Sequence, residues 1–191
     1  MYHRMQDVDL PNNEPQIIQR AIEGEKQAFG LLYEAYYSAI VRYLFFRLGS
    51  IEEAEDMTEA VFIKAWEGLP SLNQFKKGLN FRAWLYRIAH NALIDFHRAH
   101  KEDLSIDAIG ELPSMIIKPE KAVEQSETAA EITIAVRQLD EISLQVVMNR
   151  FIAGLDHRET ARIMGLNEGN VRVIQFRALK KLKEILGESY D

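Results

Sequence analysis

No cysteine occurs among the 191 residues. Its absence excludes disulfides, Cys-based zinc sites and thiol catalysis, and it fits a reducing compartment such as the cytosol. Proline and glycine are scarce, at five and ten residues, too few for a loop-dominated or low-complexity chain. Nothing approaches ~18 uninterrupted apolar residues, so no segment is expected to insert in a membrane. The first stretch, MYHRMQDVDLPNNEPQ, is polar and acidic without an apolar core, and is not expected to be a secretory signal. Period-two alternation is missing too, which leaves no convincing strand. Ser-His-Asp, P-loop and GxGxxG patterns are also lacking. The chemistry of an enzyme is therefore not visible, and no cofactor is expected.

What is present is helical. Apolar residues recur at helical spacing nearly throughout, and the hydrophobic share of 47% suits a soluble α-rich protein. The spacing predicts a helix over 15–23 that breaks at Gly24. A second helix runs from Lys26 to Leu48 and ends at Gly49, where a glycine can take the left-handed C-terminal position. Ser50, with Glu53 three residues on, opens a third helix through a capping-box spacing. That helix is expected to reach about Glu67 and to stop at Gly68 and Pro70. The polar loop SLNQFKKGLN leads to a fourth helix from Phe81 to His100.

Charge then divides the chain. Residues 101–141 hold ten acids and four bases, a net charge equal to the −6 of the whole chain. Residues 142–191 hold eight bases and six acids. Two prolines and irregular apolar spacing mark residues 101–125 as a linker. Helices resume near Ser126 and continue to about Leu186. The expected architecture is all-α: two small helical domains joined by a flexible acidic linker.

Near the C-terminus, DHRETARIMGLNEGNVRVIQFRALKKLKEIL has the layout of a helix-turn-helix. Asp156 can cap a short helix with Glu159 returning the bond. Ala161 is small where a second helix must cross, Gly165 tolerates a left-handed turn, and Asn167 can cap the second helix. At ~100° per residue, Val171, Ile174, Ala178, Leu179, Leu182, Ile185 and Leu186 fall on the side expected to pack inward. Arg172, Val173, Phe176, Arg177, Lys180 and Lys183 fall on the other. Arginine pairs with guanine and lysine neutralises phosphate, while Val173 and Phe176 suit thymine methyls. A solvated basic helix has the same charge, but the caps, small residue, glycine turn and one-sided basic face together favour DNA.

The N-terminal half carries two further constellations. Glu52, Glu55, Asp56 and Glu59 form an acidic stripe opposite Ile51, Ala54, Met57, Val61 and Ala65. This is either a solvated face or a surface for a basic protein partner. The second is FKKGLNFRAWLYRIAHNALIDFHRAHK. Phe81, Leu85, Ile88, Ala92 and Phe96 form its expected buried stripe. Around it lie Phe75, Lys76, Lys77, Arg82, Arg87, Asn91 and Arg98, a mix of cations, aromatic and amide that suits single-stranded nucleic acid. A basic amphipathic core helix fits these residues equally well. His90, His97 and His100 lack a further ligand at metal spacing, and no metal site is expected.

Taken in order, AFGLLYEAYY, AEDMTEAVFIKAW, FRAWLYRIAHNALIDFHR and the terminal helix-turn-helix resemble the extracytoplasmic-function (ECF) sigma factors of the sigma-70 family. The resemblance covers about residues 26–100 and 127–187. It implies a region 2-like domain over 26–100, a linker over 101–126 that would lie in the polymerase channel, and a region 4-like domain over 127–187. Residues 1–25 would be an N-terminal extension and short helix. Glu52, Glu55, Asp56 and Glu59 would dock on the β′ clamp of core RNA polymerase, and the β flap would be a second polymerase contact. Phe75, Asn80, Arg82, Arg87, Asn91 and Arg98 would read and melt the −10 element as single strand. Asn170, Arg172, Val173, Phe176, Arg177 and Lys180 would read the −35 element as duplex. The implied protein is a cytoplasmic, non-catalytic initiation subunit, with promoter DNA and an anti-sigma factor as further partners. Two other readings remain open on the residues alone: an autonomous helix-turn-helix regulator, which would bind paired half-sites as a dimer, and a helical adaptor that binds only proteins.

Overall fold

The structure is a computed structural model and describes residues 13–72, 81–99 and 124–188, with side chains omitted for 124–130 and 188. Every regular element among the described residues is a helix. The chain divides into two compact units, Met1–Ile109 and Gly110–Asp191. The linker expected over 101–126 falls almost wholly outside the described residues, as do Phe75 and Asn80.

The first unit holds α1 (Glu14–Ile22), α2 (Lys26–Leu48), α3 (Ile51–Leu72) and α4 (Phe81–Ala99). Helix α2 is central, packed by the other three, so its apolar residues cannot keep to one stripe. Leu32, Tyr36, Ile40, Tyr43 and Leu44 are all buried. Aromatic rings join the helices at favourable edge-on geometry. Tyr36 meets Phe81 at 5.4 Å and Tyr43 meets Tyr86 at 5.1 Å between centroids. Helix α1 is held by buried Ile17 and Ala21 and by a hydrogen bond from the Tyr36 hydroxyl to Glu14. Helix α2 ends as expected, at Gly49 with φ 82° and its N–H on Phe45 O.

Helix α3 departs from expectation in two ways. Ser50 accepts the Glu53 N–H at 3.3 Å, but the carboxylate that bonds its hydroxyl is Glu52, at 2.8 Å. The helix also continues through Gly68 and Pro70 to Leu72. Proline there removes one hydrogen bond near the helix end, while Leu69 and Leu72 stay buried in the core and hold the last turn. Gly68 does not terminate the helix. A Cβ on it would lie 3.2 Å from the Trp84 ring, so its bare surface makes room for the indole.

That indole also turns α4 from the expected stripe. Phe81 and Leu85 are buried, but the face continues through Ala89 and Leu93, flanked by Trp84, Tyr86 and His90. Ile88, Ala92 and Phe96 are only half-buried. Trp84 and Tyr86 are the bulkier groups, and filling the space beside Gly68 and Tyr43 decides the rotation.

The second unit holds α5 (Glu124–Arg137), α6 (Glu141–Val147), a π turn (Met148–Ile152), α7 (His157–Met164) and α8 (Glu168–Glu188). Asp140 caps α6 by accepting the Ser143 N–H at 3.0 Å. Helix α8 packs on α5, α6 and α7. Val146, Ala161 and Val171 form a small core, with Met164, Leu166 and Ile174 against it.

Candidate nucleic-acid interface

The helix-turn-helix forms as its residues predict. Asp156 accepts the Glu159 N–H at 2.7 Å and Glu159 accepts the Asp156 N–H at 2.8 Å, a complete capping box. Gly165 follows α7 with φ 66°. Asn167 caps α8 by accepting the Asn170 N–H at 2.8 Å. Buried Ala161 lets the helices cross closely.

Helix α8 presents two unlike faces. Val171, Ala178 and Leu182 are buried, and Ile174, Ile185 and Leu186 are half-buried. Leu179, expected inside, is 41% exposed; at ~100° per residue it lies at the edge of the inward side. Asn170, Arg172, Arg177 and Lys180 are all exposed on the outer side. Val173 is 49% and Phe176 70% exposed among them, apolar groups that no fold contact accounts for. Arg172 and Lys180 lie near Glu168 and Glu184 at 3.7 and 3.9 Å. Such exposed pairs are weak and would yield readily to phosphate.

One polar group here gave no sequence signal. Arg150, from the π turn, donates Nε–H to Gln175 Oε1 at 2.9 Å. Its partner lies far off in sequence, so no local pattern could have found the pair. His157 sits beside it, and its pKa is lowered by partial burial and by the cations Arg150 and Arg172.

On α4, Asn91 and Arg98 are exposed, and Arg82 and Arg87 half-buried. At ~100° per residue Arg87, Asn91 and Arg98 share one face, with Arg82 on the far side. Arg82 lies near Tyr36 and Tyr86, whose hydroxyls burial pushes well above the ordinary tyrosine value, with the Arg82 charge opposing that rise only in part. Arg98 lies 3.9 Å from Asp95, with both side chains exposed. His90 is buried in the core, His100 lies outside the described residues, and no metal-binding group occurs among those described.

The acidic stripe is on the surface of α3: Glu52, Asp56 and Glu59 are exposed and Glu55 half-buried. Tyr37 of α2 faces it, its pKa raised by burial and then by Glu55, among other neighbours. Beside the stripe, Phe29, Tyr33, Phe62, Ile63 and Trp66 line an open groove of about 480 Å³, edged by Lys26, Glu59 and Glu67. Ile63 is 60% exposed. The signal for this groove was Ile63 itself, an apolar residue off the buried stripe of α3.

Two family models match these two units: sigma-70 region 2 over residues 32–102 and sigma-70 region 4 over residues 135–184. The chain belongs to the sigma-70 family. Its relatives place it in the ECF group. It is 34% identical over 173 residues to the ECF RNA polymerase sigma factor BldN of Streptomyces coelicolor, covering 90% of this chain and 65% of that relative. It is 27% identical over 157 residues to SigM of Bacillus subtilis, covering 81% and 92%. Two solved structures share the fold. CnrH, in complex with the cytosolic domain of CnrY, matches with a TM-score of 0.67 at 23% identity, covering 92% of this chain and 97% of that one. RpoE of Bartonella quintana, in complex with the anti-sigma factor NepR, matches with 0.62 at 17%, covering 93% and 98%. The acidic stripe and α4 thus lie in sigma-70 region 2, and α8 in region 4. No helix among the described residues is long and apolar enough to cross a membrane.

Proposed function

We propose that this ECF sigma factor is the promoter-specificity subunit of RNA polymerase, a cytoplasmic protein without catalytic chemistry of its own. The observation that carries the proposal is α8: a helix with buried Val171 and Ala178 on one side and exposed Asn170, Arg172, Phe176 and Arg177 on the other, in a capped helix-turn-helix. Asn170, Arg172, Val173, Phe176, Arg177 and Lys180 read the −35 duplex, with arginine on guanine and the apolar pair on thymine methyls. Arg87, Asn91 and Arg98 track the opened −10 strand, with Arg82 at the start of α4 beside Asn80 and Phe75 nearby in sequence. Each base captured on an aromatic contributes ~1–3 kcal/mol toward strand separation.

Glu52, Glu55, Asp56 and Glu59, with the aromatic groove beside them, dock on the β′ clamp of core polymerase, and the second unit meets the β flap. An anti-sigma factor is a further expected partner. RpoE, a protein of the same fold, is known with one. The boundaries proposed for the two functional domains are 26–100 and 127–187.

Run-off transcription with purified core polymerase on a genomic fragment library tests this reading. New start sites should appear only when the protein is added; identical products with and without it would remove the proposal. At such promoters Arg177→Ala should lower initiation about tenfold, the value of one base-reading arginine, when the −35 element is intact. An unchanged yield would take Arg177 out of the reading set.

A further inference from the structure

A polar strut joins the −35 helix to the rest of its unit. Arg150 is half-buried in the π turn. Its Nε–H reaches Gln175 Oε1 at 2.9 Å, and a second guanidinium N–H bonds the carbonyl of Leu155. Leu155 is fully buried and directly precedes the cap of α7. One planar group therefore ties the π turn, the entry to α7 and the middle of α8.

The π turn is what makes this reach possible. Its widened pairing, with Ala153 N on Met148 O at 2.9 Å and Leu155 N on Asn149 O at 2.9 Å, re-aims side chains relative to an α-helix. The guanidinium is partly buried, which lowers its pKa from the ordinary arginine value. A charged group in such a place is costly when its partners are lost, so the strut resists rotation of α8 about its own axis.

Gln175 is by type a reader of adenine, which it recognises through its amide oxygen and nitrogen together. It stands on α8 beside Phe176 and one turn from Arg172. With Oε1 accepting from Arg150 and His157 also hydrogen-bonded to Gln175, the amide is held within its own unit and does not offer its oxygen and nitrogen together to a base.

We propose that Arg150 is a positioning residue for −35 recognition, acting through Gln175 to fix the setting of α8, and that Gln175 is thereby withdrawn from base reading. The proposal rests on α8 being the −35 reader and adds what aims it.

The test uses holoenzyme assembled from core polymerase and full-length chain, binding promoter duplexes with intact or scrambled −35 elements. The readout is the ratio of the two affinities, together with its salt dependence. Arg150→Met should lower the ratio about tenfold, the size of one hydrogen bond to a charged group, with the salt slope unchanged. Gln175→Leu should do the same, and the double variant should be no worse than Arg150→Met, as for partners in one interaction. Gln175→Glu keeps an acceptor for the guanidinium; its added charge weakens both duplexes alike and should preserve the ratio. Should Arg150→Met fail to fold by circular dichroism, Gln175→Leu against Gln175→Glu decides, and equal ratios overturn the proposal. Equal loss on both duplexes with a salt slope reduced by about one would make Arg150 a phosphate contact instead. Loss of preference at a single A·T pair in Gln175→Leu would make Gln175 a reader. A wild-type ratio of one would remove the −35 reading itself, and the strut's role with it.

Discussion

Asp140 shows how a single cap sets a pH response. Hydrogen bonds from Ser143, through its side chain and then its backbone, hold the Asp140 carboxyl below its ordinary value of 3.8. A pKa lower in the folded than in the unfolded state means that the folded protein binds fewer protons in that range. Its contribution is present in full above about pH 4 and disappears as pH falls through the lower folded-state value. Urea unfolding of the second unit should therefore lose stability on acidification, and Asp140→Asn should flatten that limb. An unchanged acid limb would show that other carboxylates set it. The Asp140 cap was not read from the sequence, whereas Asp156 and Glu159 were, because capping partners lie three residues apart and the helix-turn-helix layout points to them. Arg150 was not, because Gln175 lies 25 positions away and only the fold brings them together.

At the scale of the element, boundaries were readable where backbone chemistry decides them and misread where packing does. Gly49 and Gly165 mark helix ends because each adopts a left-handed backbone, with φ 82° and 66°. Gly68 looked similar in sequence but serves Trp84, and only the packed core reveals the difference. The expected rotation of α4 erred for the same cause: periodicity counts apolar residues without weighing Trp84 and Tyr86 by size. In α8 the two faces were legible because charge and apolarity separate cleanly, apart from Leu179. For the turn between α7 and α8, Gly165→Ala meets no steric obstacle but must hold a positive φ. It should cost about 1 kcal/mol by urea denaturation, with Gly165→Asn costing less.

Across the whole molecule, the acidity of the chain is an average over unlike parts, and its segregation into the residues between two helical blocks is what marks two domains in the sequence. The outward side chains of α8 were largely legible; the aromatic groove on α2 and α3 was not, since its lining comes from two helices and only Ile63, off the buried stripe of α3, hinted at it. Both tryptophans, Trp66 and Trp84, belong to the first unit, and each unit has a core of its own. Tryptophan emission should therefore follow the first unit alone, while far-ultraviolet circular dichroism follows both. Gly165→Ala should shift the dichroism transition and leave the emission transition in place. A joint shift would show that the units unfold as one cooperative body.

The groove lined by Phe29, Tyr33, Phe62, Ile63 and Trp66 has a thermodynamic consequence. Covering its apolar wall on association lowers the heat capacity, so the binding enthalpy becomes more favourable as temperature rises. The contacts proposed for α8 with DNA would instead release counterions and fade with added salt. Salt would therefore weaken both the proposed grip of α8 and the docking of the acidic stripe, whereas heat capacity reports the covering of the groove. Calorimetry across temperature thus singles out the groove on α2 and α3, a distinction that titration across ionic strength alone does not make.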